Sequence, residues 1–115
     1  MNWGTIVVIA LVIVFAWMRF GSVPDLTGVD LRSAIILDVR SPGEFSSGHV
    51  ERAINIPVLS LQKDSMEAIA KKEQPILVYC RSGTRANNAV QTLKEWGFTQ
   101  VYNPRTQSNV ESVLK

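Results

Sequence analysis

The chain has 115 residues but only one cysteine, Cys80, and one histidine, His49. A lone cysteine cannot close an intramolecular disulfide, so a disulfide-stapled fold is excluded. A zinc site built from several cysteines and histidines is excluded for the same reason. Any thiol that meets Cys80 must come from another molecule. Charge of one sign is equally scarce: acids and bases are mixed along the chain and the formal net charge is +2. No basic stripe with interleaved aromatics is present, which argues against a nucleic-acid binder. Internal repeats and low-complexity segments are also missing.

What the sequence does have is a split in composition. From Trp3 to Met18 there is no charge and almost every residue is apolar. As a helix this stretch would span roughly 24 Å, slightly less than the hydrocarbon core of a bilayer. Trp3 and Trp17 mark its ends, where aromatic rings favour the membrane interface, and Arg19 can snorkel to the headgroups. A cleaved signal peptide would need a basic start and a small-residue cleavage site; Met1 to Gly4 and Trp17 to Phe20 provide neither. Residues 1–20 are therefore expected to form a single-pass transmembrane anchor in the cell (inner) membrane. Arg19 and Arg32 follow the apolar run and no Lys or Arg precedes it, which places the remainder on the cytoplasmic side. Residues 21–29 read as a linker and 30–115 as the folded domain.

Within that domain, Ala34 to Val39 is an apolar run suited to a strand buried on both faces. Arg40 to Gly48 reads as a loop with one helical turn, and Ala53 to Ile56 as a second short strand closed by Pro57. Asp64 to Glu67 has the form of a capped helix start, with Lys71 and Lys72 favourable at its end. Ile76 to Tyr79 is a third buried strand. Ala86, Ala89, Val90 and Leu93 then recur at helical spacing, and Gly97 stands where a helix stops. Val101-Tyr102 suits a last strand and residues 108–115 a terminal helix. Strands alternating with helices predict an α/β fold, a parallel sheet flanked by helices. Ligands of such sheets bind at the carboxyl ends of the strands.

One stretch carries chemistry: Tyr79-Cys80-Arg81-Ser82-Gly83-Thr84-Arg85-Ala86. A buried strand delivers Cys80 to the rim of the sheet, a tight turn follows, and a helix begins. Unpaired N–H groups of the turn and the helix start can converge on one spot, and the helix dipole adds positive potential there. Such surroundings favour a thiolate, a persulfide or a bound oxyanion. Gly83 suits a position of tight curl or positive φ, and Ser82 and Thr84 can donate hydroxyl hydrogen bonds. A buried structural thiol is the commonest fate of a free cysteine, but the strand–Cys–turn–Arg–helix context favours a nucleophile. Arg81 fits a solvated surface role as well as a functional one. Arg85 sits at a helix start, where a cation is unfavourable without an anion partner, and this favours a place in the site.

These residues resemble the C-x-x-G-x-R active-site loop of single-domain rhodaneses. Leu37 to Val50 resembles that family's D-V-R, E-F and G-H-I signature, and Ala53-Ile54-Asn55-Ile56-Pro57 its A-x-N-I-P segment. Gly97-Phe98 and Val101-Tyr102-Asn103 are similar to its final strand. The resemblance implies a sulfurtransferase of the thiosulfate type. A small donor such as thiosulfate would leave sulfane sulfur on Cys80, and an external thiol, cyanide or protein acceptor would remove it. Arg81, Ser82, Gly83, Thr84 and Arg85 would form the substrate cradle, and neither metal nor cofactor is implied. Asp38, Arg40, Glu44 and His49 are expected to tie loops to strand ends, with His49 structural rather than a general base. Two departures stand out: Glu51-Arg52 follows G-H-V, and Pro104 to Ser108 replaces the usual Gly-Gly turn and aromatic-bearing helix, which leaves Arg105 to stand in for one wall of the pocket.

Two other readings compete with the enzyme. A membrane-tethered, non-catalytic sulfur carrier or binding module is one; family members used only for binding generally lack the cysteine, which this chain keeps. A cysteine-based phosphatase or arsenate reductase is the other. Their loops place the arginine six residues after the cysteine, whereas here the step from Cys80 to Arg85 is one residue tighter, and no nearby Asp offers a general acid for a phosphoester.

Overall fold

The computed structural model describes residues 23–115. The transmembrane anchor expected over residues 1–20 lies outside these residues. Among the described residues no helix is long and apolar enough to cross a membrane.

Four strands and four helices follow one another: β1 (Ile35–Asp38), α1 (Pro42–Ser46), β2 (Ile54–Asn55), α2 (Lys63–Ile69), β3 (Ile76–Cys80), α3 (Thr84–Glu95), β4 (Val101–Thr106) and α4 (Gln107–Val113), with a 3-10 turn at Val58–Ser60. All three strand pairings are parallel and the sheet order is β2-β1-β3-β4. The expected parallel sheet flanked by helices is present. β3 is buried along its whole length, as its unbroken apolar run requires. Its side chains alternate: Ile76, Val78 and Cys80 join one core layer with Met66 of α2 and Ala86, Ala89, Val90 and Leu93 of α3. Leu77 and Tyr79 join the opposite layer with Ile36 and with Val110 of α4. Leu26, in the segment read as a linker, is buried in that second layer.

The order in which strands are added reverses between β1 and β3, because β2 lies on one side of β1 and β3 on the other. A crevice at the carboxyl ends of two such strands is where open parallel sheets bind ligands. Asp38 ends β1 and Cys80 ends β3 at that point.

Several boundaries differ from the expectations. Pro42 to Ser46 forms a true α-helix, because Ser41 and Glu44 make a reciprocal capping box. α2 begins at Lys63, with Gln62 at its N-cap and no side-chain cap bond, so the Asp64 start is off by a residue. It also stops at Ala70, in extended backbone, before Lys71 and Lys72. Lys72 instead donates to the Trp96 carbonyl at 2.6 Å, satisfying the end of α3 rather than of its own helix. β2 is two residues long, because only Leu37–Ile54 and Asp38–Asn55 register. β4 runs four residues past Tyr102: after an irregularity, Arg105 and Thr106 register with Tyr79 and Cys80. Pro104 is tolerated because β4 is an edge strand. α4 accordingly starts at Gln107, capped by the Thr106 hydroxyl. α3 ends as expected: Gly97, at φ +96°, lets the amides of Gly97 and Phe98 reach back to Lys94 and Leu93.

Candidate active site

Cys80 is the last residue of β3 and is 2% exposed. The chain then curls through Gly83, at φ +100°, straight into α3. Gly83 is the N-cap of α3 and has no side chain to cap it. The sulfur takes over that task. Cys80 Sγ accepts from the Gly83 amide at 3.0 Å and from the Ala86 amide at 3.4 Å. Ala86 is the third helical residue, the one a capping hydroxyl normally engages. A sulfur at this place faces two N–H donors and the positive end of a helix of 12 residues. Negative charge that develops on it, or on a group bound to it, is stabilised without any rearrangement.

Around this centre the structure places the five cradle candidates in different ways. Gly83 is buried and supplies an amide to the sulfur. Arg81, Ser82 and Thr84 are exposed on the rim, with the two hydroxyls 3.5 Å apart. Arg85 is half-buried and its guanidinium grips Glu44 bidentately, at 2.6 and 3.0 Å. The anion that a cation at a helix start requires is therefore a side chain of α1. Glu44 also accepts from the Ser41 amide at 3.1 Å. The Arg85 hydrogen bonds, helped by Ser41, pull the Glu44 carboxyl down to about 2. In return Glu44 holds the Arg85 guanidinium above its ordinary value.

A second network lies one strand away. Asp38 is fully buried and receives Arg40 at 3.0 Å on one oxygen and 2.7 Å on the other. Arg40 also reaches the Gly48 carbonyl at 2.7 Å and stands 5.4 Å over the Tyr79 ring. Its pKa is raised, chiefly by hydrogen bonding to Asp38. Tyr79 accepts from the Val50 amide at 3.0 Å, and burial pushes its hydroxyl up to about 12. Asn55 donates to the carbonyls of Asp38 and Arg40. These bonds hold the loops after β1 and β2 beside the Cys80 loop. Glu44 belongs with Arg85 rather than with Asp38 and Arg40. His49 is exposed, stacks on Phe45 and bonds its carbonyl at 2.9 Å through Nδ1.

Two residues of β4 touch the loop: Arg105, expected there as one wall of the pocket, and Asn103, which had no role from sequence. Asn103 donates to the Gly83 carbonyl at 3.0 Å and accepts from the Arg105 amide at 2.9 Å. The sequence signal for Asn103 is faint: an Asn beside Pro104, a pairing common in turns. Arg52, one of the two departures after Val50, donates to the carbonyls of Leu31, Arg32 and Ala34 and so ties down the entry to β1. Two surface depressions, of about 500 Å³ beside Gly28 and Lys71 and about 710 Å³ beside His49 and Glu111, include no residue of the Cys80 loop. Among the described residues no cluster of His, Cys, Asp and Glu could hold a metal ion.

Comparison with known proteins agrees with this geometry. The protein YqhL of Bacillus subtilis is 39% identical over 72 residues, 63% of this chain and 56% of its own length. The thiosulfate sulfurtransferase PspE of Escherichia coli is 36% identical over 67 residues, 58% of this chain and 64% of its own length. This chain thus spans less than two thirds of either relative. A solved rhodanese with anions from E. coli superimposes with a TM-score of 0.61 at 32% identity, covering 66% of this chain and 89% of that one. The model of the rhodanese-like domain family matches residues 26–105, and the chain belongs to that family.

Proposed function

We propose that this protein is a sulfurtransferase working through a persulfide on Cys80, with thiosulfate or a similar small anion as donor. The observation that carries the reading is the sulfur itself, which sits in the cap of α3 and accepts from the Gly83 and Ala86 amides. The Cys80 thiolate attacks the outer sulfur of thiosulfate. A new S–S bond forms, the donor's S–S bond breaks, and sulfite leaves with the electron pair. The persulfide's terminal sulfur carries the negative charge, close to the donors that held the thiolate. In the second half an external nucleophile, cyanide or a thiolate, attacks that terminal sulfur. Cys80 departs as thiolate and is ready for another turn.

Cys80 is the single thiol of the chain, so no second cysteine can resolve the persulfide. The acceptor is therefore external, a small thiophile or a protein thiol. On sequence grounds the proposal includes a membrane tether through residues 3–18 with the domain on the cytoplasmic side. Intact-mass spectrometry tests the chemistry. Incubation with thiosulfate should add one sulfur to the wild type and none to Cys80→Ser; an unmodified wild type would refute the thiosulfate reading.

A further inference from the structure

Strand β4 is irregular beside the Cys80 loop. Leu77 registers with Tyr102 and Tyr79 with Arg105, so Asn103 and Pro104 together face the single residue Val78. Two residues against one make a β-bulge, a feature rare between parallel strands and frequent beside active sites, where it re-aims a side chain. The bulge side chain that reaches the Cys80 loop is Asn103. Its amide group donates to the Gly83 carbonyl at 3.0 Å, and its oxygen accepts from the Arg105 amide at 2.9 Å. The second bond supports Arg105 at φ +83°. In that conformation Arg105 lies so close to Gly83 that a Cβ added there would stand 3.2 Å from the Arg105 Cβ. Asn103 thus fixes Gly83 twice, by a hydrogen bond to its carbonyl and through the backbone that packs Arg105 against it.

Gly83 is where such a hold is needed. Two amides reach Cys80 Sγ, those of Gly83 at 3.0 Å and Ala86 at 3.4 Å. The Ala86 amide lies in the first turn of α3, and the helix sets its direction. The Gly83 amide lies ahead of the helix, in a residue of maximal backbone freedom between exposed Ser82 and Thr84. The Gly83 carbonyl receives the Asn87 amide at 2.8 Å, which ties it to α3. Asn103 takes its other lone pair and ties it to the sheet. We propose that Asn103 is a positioning residue for Cys80: from the bulge of β4 it holds Gly83 so that the Gly83 N–H stays aimed at the sulfur. The proposal rests on Cys80 being the nucleophile of the sulfurtransferase reading above. Asn103 acts through Gly83 rather than on the sulfur. What it secures is a donor for negative charge on Sγ, present before the reaction begins.

Iodoacetamide alkylation followed across pH tests this in the full-length protein, and the single cysteine assigns every adduct. Asn103→Leu keeps the bulk of the side chain and removes both hydrogen bonds; Asn103→Ala removes them with no bulk to accommodate. In both variants alkylation should slow about tenfold on the acid limb of the profile, the scale of losing one hydrogen bond to a charged group, and reach the wild-type plateau at high pH. Loosening of the loop alone would act the other way, because Cys80 is 2% exposed and reacts faster when uncovered. Asn109→Ala is the control. It removes the 2.8 Å bond from Asn109 to the Pro104 carbonyl in the same bulge and leaves the bonds of Gly83 in place; its profile should coincide with that of the wild type. Unchanged or faster alkylation in the Asn103 variants would overturn the proposal. So would a slowing that is equal at every pH, the mark of blocked access, or an equal slowing in Asn109→Ala. A profile that shifts as expected in Asn103→Leu, with a wild type that thiosulfate never persulfidates, would leave the positioning role standing and remove the sulfurtransferase reading.

Discussion

Replacing Gly83 with alanine tests how tightly the active-site loop is built. Gly83 combines φ +100° with ψ −12°, a region that L residues rarely enter. Forcing a side chain there costs about 1–3 kcal/mol from backbone strain. The added methyl would also stand 3.1 Å from Arg105 Cζ and Nε and 3.2 Å from its Cβ. The far end of Arg105 can swing aside, but its Cβ is fixed by a backbone that Asn103 holds. We therefore expect Gly83→Ala to destabilise the domain by about 2 kcal/mol, most of it from the dihedral. In a domain of this size that lowers the melting temperature by about 8–16 °C. Urea unfolding of four proteins separates the two causes: wild type, Gly83→Ala, Arg105→Gly and the double variant. Removing Arg105 should restore the steric share and leave the dihedral share. The Gly83 amide should also lose its 3.0 Å contact with Cys80, so persulfide formation should slow even where the protein is folded. A Gly83→Ala protein within 0.5 kcal/mol of wild type and equally fast with thiosulfate would refute the argument.

Two pH predictions follow from the networks beside the site. Arg85 and Ser41 pull Glu44 in the folded state down to about 2 from an ordinary 4.5. Its contribution is therefore complete above about pH 4.5 and disappears as pH falls through about 2. Glu44→Gln should flatten that part of the acid unfolding curve and leave Arg85 at a helix start without its anion; an unchanged acid limb would show that the pair adds nothing. Tyr79 behaves in the opposite sense. Its hydroxyl is pushed up from 10.0 to about 12, so the unfolded chain loses its proton first. Stability should fall between those values as pH rises, and Tyr79→Phe should remove that part of the slope in alkaline unfolding; a Phe variant with the same slope would contradict the assignment.

Much of this protein follows from local sequence alone. The unbroken apolar run of β3 and the helical recurrence of Ala86, Ala89, Val90 and Leu93 place Cys80 between a strand and a helix. Strand period, helix period and the conformational freedom of Gly83 and Gly97 are properties of neighbouring residues, so the chain declares them. The capping pair of α1 was equally present in Ser41 and Glu44, although the surrounding Pro and Gly made the segment read as a loop. Partners distant in sequence were not legible. Glu44 and Arg85 are 41 residues apart, and Asn103 lies 20 residues from the Gly83 carbonyl it holds. Local sequence suggests that Lys72 ends its own helix, whereas it caps α3 by donating to the Trp96 carbonyl, 24 residues on. Long-range pairing depends on which elements the sheet brings side by side. The sequence by itself determined a cysteine at the carboxyl end of a buried strand, facing a helix start. Only the tertiary structure decided what surrounds it: the β2-β1-β3-β4 order sets α1 against Arg85 and folds β4 back until Arg105 lies on Gly83.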